Sequence, residues 1–250
     1  MALGSNMLKN IIKILILATI VFILAEIFLY KEPEFADFKI NHPPFVPIEI
    51  KTSEDKQDKD ILLDVPFIAQ APFGEWGNPV FQDACEEAAV LMVKYWLEGK
   101  EITKQEAYDE IIALADFEEK NYGNFYDHSA KDTAQIMKDY IGYQNIEARN
   151  NIDVEDIKSE LRKGNLIVVP INGQVINNPY YTPPGPERHM LVIIGYNEDK
   201  NEFITNDSGT RMGKDYRYNE DVLFWSIRDY PTGHKIPILE NKKAMIVIKK

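Results

Sequence analysis

The apolar residues of this chain change their spacing near residue 164, and that switch restricts the fold more than any other feature of the sequence. Before it they recur every three or four positions, the period of a helix buried on one face. After it they fall in short unbroken runs, the pattern of buried strands. Four helix starts are readable. Asp83 and Glu86 have the three-residue spacing of a capping box and precede Ala88, Leu91, Met92, Tyr95 and Trp96. Thr103 and Glu106 open a second helix, with Ile111, Leu114 and Ala115 on its inner face. Asp132 and Gln135 open a third through Met137 and Ile141. A fourth, from about Asp153 to Lys163, buries Val154, Ile157 and Leu161 and stops at Gly164. Strands are expected at 62–70, 166–170, 190–196, 202–206, 223–227 and 244–248, with a turn at 197–201. Helices first and strands later predict an α+β fold, an N-terminal helical part packed on a C-terminal antiparallel sheet.

The N-terminus reads differently. Residues 11–30 are apolar except for Lys13 and Glu26, long enough as a helix to span the roughly 30 Å hydrocarbon core of a membrane. Lys9 and Lys13 stand at its start, and Lys31, Glu32, Glu34 and Asp37 follow it. The basic flank predicts a single-pass anchor at 1–30 with the rest of the chain outside the cytoplasm. A cleaved signal peptide and a buried helix are the rival readings. No small-x-small cleavage site follows the run. Residues 31–60, with Pro33, Pro43, Pro44 and Pro47 and a charged stretch from Ser53 to Asp60, read as a flexible linker. The folded domain is then 61–250.

The formal net charge of −12 argues against a nucleic-acid partner, which needs a basic patch. The single cysteine allows no intramolecular disulfide. Without a Cys-x-x-Cys pair or a His-Glu-x-x-His run, and with the four histidines far apart, neither a metal site nor a cofactor is expected.

That lone cysteine, Cys85, is on residue type alone most often a small buried hydrophobe. Its expected place, in the first turn of a helix capped by Asp83, exposes it to unpaired backbone N–H groups that stabilise a thiolate, while Glu86 and Glu87 oppose this. A cationic partner is therefore needed. The register set by the turn at 197–201 places His189 nearly opposite Asp207 at the open end of one hairpin. That pairing reads either as a surface ion pair of little energetic weight or as a base with its orienting carboxylate.

The segments Leu63-Asp-Val-Pro-Phe-Ile-Ala-Gln70, Gln82-Asp-Ala-Cys85-Glu-Glu-Ala-Ala89, Arg188-His-Met-Leu-Val-Ile-Ile-Gly-Tyr196 and Thr205-Asn-Asp-Ser-Gly-Thr210 resemble the bacteriocin-processing-like peptidases. These are papain-fold cysteine peptidases whose best-known members trim double-glycine leaders, and the resemblance runs over about residues 61–250. It implies Cys85 as nucleophile, His189 as base, Asp207 as orienter and a glutamine in the oxyanion hole, Gln70 with Gln82 as the alternative. Glu86 stands where the family often has glycine. The expected activity is cleavage of a peptide or protein substrate through an acyl-enzyme; a thiol-dependent acyltransferase and an inactive peptide-binding module are the competing readings. The loop 172–188, with Tyr180 and Tyr181, runs into His189 and reads either as a wall of the cleft or as an ordinary surface loop. Phe73 and Trp76 have the same two readings.

Overall fold

The computed structural model describes residues 60–250. The expected anchor at 1–30 and, but for Asp60, the linker at 31–60 lie outside the described residues. Among the described residues no helix is long and apolar enough to cross a membrane.

The helices are α1 (Pro79–Asp83), α2 (Cys85–Glu98), α3 (Lys104–Tyr122), α4 (Ala130–Ile141), α5 (Val154–Arg162), α6 (Gly173–Ile176) and α7 (Glu220–Ser226). The strands are β1 (Asp60–Leu62), β2 (Ile146–Asn150), β3 (Leu166–Ile171), β4 (His189–Asn197), β5 (Glu202–Asn206), β6 (Tyr216–Asn219) and β7 (Ala244–Ile248). They form one antiparallel sheet in the order β2-β7-β3-β4-β5-β6, with β1 added to the far end of β4. The α+β class expected from the sequence is the class observed.

The unbroken apolar runs have a direct cause. Side chains alternate across a strand, and here both faces of the sheet are covered. From β3 and β4, Leu166, Val168, Met190, Val192 and Ile194 pack into a core with α2, α3 and α4. Ile167, Val169, Leu191 and Ile193 pack into a second core with Ile157 and Leu161 of α5 and Leu223 of α7. Helix α2 is buried from Cys85 to Val93 and lies against β4, which brings the start of the helix to the start of the strand carrying His189.

Several local expectations are corrected. The segment expected as a strand at 62–70 pairs only through β1 and continues as extended chain, with the Leu63 N–H on the Ile194 carbonyl (2.7 Å). Residues 223–226 belong to a helix, because the Asn219 side chain accepts from the N–H groups of Asp221 and Val222 and so caps α7, and only Ile227 is extended, in an isolated bridge with Ile171. Thr103 with Glu106 does form the expected capping box, Asp153 with Asp156 forms one that was not expected, and Ser129, not Asp132, caps α4. Asp83 caps nothing: it ends α1, which Asn78 caps, and α2 begins behind Ala84 without a side-chain cap. Strands β2 and β6 were not expected. Gly195 sits in a bulge of β4 where a Cβ would lie 2.2 Å from the Ile61 carbonyl oxygen, so only glycine lets β1 close on the sheet there.

Candidate active site

The turn α1–Ala84–α2 puts Cys85 at the first position of a buried helix, and the hairpin β4–β5 puts His189 and Asp207 beside its N-terminal end. A cleft of about 690 Å³ is lined by Cys85, His189, Gln70 and Gln82, with Trp76 and Tyr181. Phe73 is not on this lining; its ring lies 6.1 Å from that of Tyr108.

The hairpin does what its register implies. The β4–β5 ladder pairs Val192 with Asn206, and just beyond it the His189 ring meets the Asp207 carboxylate, Nε2 to Oδ1 at 2.8 Å, both side chains buried. Nε2 is thereby engaged, and Nδ1 is the nitrogen left for proton exchange. Gly209 lets the ring lie this close to the turn, since a Cβ there would stand 2.9 Å from His189 Cε1. Its N–H donates to Asp207 Oδ1 at 3.1 Å. Burial alone would push the Asp207 carboxyl up, but the His189 ring and the hydroxyls of Tyr181 and Tyr218 hold it below the ordinary carboxylate value.

Gln70 is also buried, and it ties three segments together. Its N–H donates to the Ser208 carbonyl (3.0 Å), and its amide nitrogen donates to the carbonyls of Phe81 and Gln82, each at 3.1 Å. Both amide hydrogens are thus directed at the chain leading into Cys85. Gln82 is more exposed and donates to the Trp76 carbonyl at 2.6 Å.

The thiol itself has an unexpected neighbour. Cys85 Sγ donates to Glu86 Oε2 at 2.9 Å, and the other oxygen of Glu86 accepts from Tyr230 (2.6 Å) and from the His128 N–H (3.2 Å). Burial first, and then the Glu86 charge and hydrogen bond, push the Cys85 thiol well above its ordinary value, so the resting form is a protonated thiol. The helix start that the sequence suggested as an activator is outweighed. Burial pushes Glu86 itself up to about 7. Behind it lie Glu87, also pushed up by burial, and Glu118, pushed up to about 9 by the same cause. Among the described residues no hydrogen-bond donor of a third residue reaches their four carboxyl oxygens, His128 Nδ1 standing 3.9 Å from Glu118 Oε2; a proton held on one of the pair is the donor available to the other.

The sequence placed Cys85, His189, Asp207, Gln70 and Gln82; the fold brings Cys85, His189, Gln70 and Gln82 onto the cleft and keeps Asp207 buried in contact with His189. It did not point to Tyr218, Asn178, Tyr230 or the thiol contact of Glu86. The pairing of Tyr218 with Phe203 in the β5–β6 ladder was the one available signal, lost because β6 was unrecognised.

A model of the Peptidase_C39 like family matches residues 62–230. Among solved structures, a Bacillus anthracis protein described as C39-like is 17% identical, over 77% of this chain and 99% of that chain, with a TM-score of 0.48. No curated protein matches.

Proposed function

We propose that this chain, which belongs to the Peptidase_C39 like family, is a cysteine hydrolase that cleaves a peptide or amide bond through a thioester on Cys85. The observation that carries the reading is the buried His189–Asp207 contact of 2.8 Å at the wall of the cleft that also holds Cys85. A surface ion pair has no need of such burial, whereas a base kept in one tautomer does.

In the proposed reaction, Nδ1 of His189 takes the proton of the Cys85 thiol as Sγ attacks the carbonyl carbon. Asp207 stabilises the imidazolium that forms. The oxyanion is met by a backbone N–H at the start of α2 and by the Gln70 amide. For that, Gln70 releases one of the two carbonyls it now holds. Collapse breaks the C–N bond, His189 returns the proton to the leaving amine, and water then hydrolyses the thioester with His189 as base. The thiol must first leave Glu86, so the resting arrangement is one step away from the reactive one.

We further propose that residues 11–30 anchor the chain in a membrane with the catalytic domain outside the cytoplasm, supported by the apolar run and its basic flank. Protease added outside intact cells should then digest the domain; protection until permeabilisation contradicts this. The hydrolase reading is tested by incubating the protein with a diverse peptide mixture and mapping new termini by mass spectrometry. Cleavage absent in Cys85→Ala and His189→Ala supports it, and cleavage that persists in Cys85→Ala refutes it. A peptide-binding module on the same fold is the second reading, favoured by the hold of Glu86 on the thiol. It predicts peptide binding with no cleavage.

A further inference from the structure

Asp207 is more elaborately held than an orienting carboxylate requires. Its Oδ1 is occupied by His189 and the Gly209 N–H. Its Oδ2 accepts from the Tyr181 hydroxyl at 2.6 Å, from the Tyr218 hydroxyl at 2.6 Å and from Asn178 Nδ2 at 3.2 Å. Asn178 Nδ2 also donates to the Tyr218 oxygen at 2.6 Å. We propose that Tyr181 and Tyr218 are positioning residues of the reaction, whose hydroxyls fix the plane of the Asp207 carboxylate and thereby the orientation and basicity of His189. The proposal rests on the reading of Cys85, His189 and Asp207 as a catalytic set.

Three observations carry it. The terminal torsion of an aspartate is broad, so a carboxylate held through one oxygen alone can swing; donors on the second oxygen stop that motion. The two phenols come from separate parts of the fold, Tyr218 from β6 and Tyr181 from the loop between α6 and β4, so neither follows the other. Tyr181 also touches the imidazole, its ring standing at 79° to that of His189 with centroids 5.6 Å apart, and it lines the cleft, which Tyr218 does not. Burial and the Asp207 charge push both phenols up, so they remain donors at any working pH. The titratable groups facing Asp207 are His189 from β4, Tyr181 from the loop, and Tyr216 and Tyr218 from β6. Cys85, Asp83, Asp127, Arg188 and Arg211 share the cleft with His189.

The sign of the effect follows from charge. Each phenol draws negative charge toward Oδ2, so removing one leaves more of it for the imidazolium, and the His189 titration moves to higher pH. The less firmly held carboxylate orients the ring less well, and acylation slows. The experiment is an NMR titration of His189 in the full chain carrying Cys85→Ala, alone and combined with Tyr181→Phe or Tyr218→Phe. It is paired with acylation of the Cys85-containing proteins by a peptide p-nitrophenyl ester. Each hydroxyl removal should raise the His189 midpoint by about half to one pH unit, and by similar amounts because both donate to one oxygen at one distance. Acylation should fall roughly ten-fold in both. A merely structural role would lower the melting temperature and leave the titration in place, which overturns the proposal. So does a loss confined to Tyr181→Phe, since that residue would then be acting on substrate. If Tyr218→Phe does not fold, Tyr181→Phe alone decides through the His189 titration. Should the titrations shift while the wild-type protein never acylates, the hydrolase reading falls and the hydrogen-bond geometry stands.

Discussion

Glu86→Gln is the substitution with the most to say about the nucleophile. Gln has nearly the shape of Glu and keeps one oxygen for Tyr230 and the His128 N–H, while its NH2 stands where the Cys85 thiol found its acceptor, so the variant removes the charge and the thiol's acceptor together. The thiol lies 2.9 Å from one carboxylate oxygen. With the charge spread over both oxygens, the effective separation is about 4 Å. At an effective dielectric near 20, two unit charges at about 4 Å repel by about 4 kcal/mol, equivalent to about three pH units. That is an upper figure, because Glu86 is itself pushed up to about 7 and takes a proton when the thiolate forms beside it. The midpoint of Cys85 alkylation by iodoacetamide should therefore move down by about one to three pH units in Glu86→Gln. The assay is the second-order rate against pH, with the adduct located by peptide mapping. A midpoint that stays in place or rises would refute the claim that the Glu86 charge holds the thiol protonated.

Gln70→Ala should leave iodoacetamide alkylation of Cys85 near normal but slow ester acylation by about 10²-fold, as expected for loss of an oxyanion donor, while Gln82→Ala changes both little; the reverse pattern assigns the role to Gln82. Gly209→Ala should displace the His189 ring, since the new Cβ would stand 2.9 Å from Cε1, and acylation should drop with little loss of melting temperature. The buried acids set an unusual pH dependence of stability. Glu86 and Glu118 have folded values raised from 4.5 to about 7 and about 9, so their contribution is fully present below 4.5 and is lost as pH rises through those values. The melting temperature should accordingly fall from mildly acidic toward alkaline pH, and Glu118→Gln should flatten that fall; calorimetry showing an unchanged slope in the variant contradicts the assignment. Asp207 acts in the opposite sense, its contribution being lost as pH falls below the ordinary carboxylate range.

Much of this was legible in the sequence wherever a short-range rule governs. The His189–Asp207 contact follows from the length of one turn, and the capping box at Thr103 follows from spacing. What escaped depends on context. The 223–227 run is apolar enough for a strand, and only Asn219 marks residues 223–226 as helix. Asp83 has the spacing of a cap, but Pro79 starts a separate short helix before it, so Asp83 closes one helix where it was expected to open the next. The thiol contact with Glu86 is between sequence neighbours. It was unreadable because burial of Glu86 depends on Tyr230 and His128, which lie 144 and 42 residues away.

The central claim is that Cys85 carries the acyl group. The most direct test is to mix the protein with a peptide p-nitrophenyl ester, quench in acid and measure the intact mass, then locate any adduct by peptide mapping. The account predicts one acyl group on Cys85 in the wild-type protein, none in Cys85→Ala, and a much slower appearance in His189→Ala. Ester turnover with no adduct on Cys85, or an adduct on another residue that survives Cys85→Ala, would contradict it.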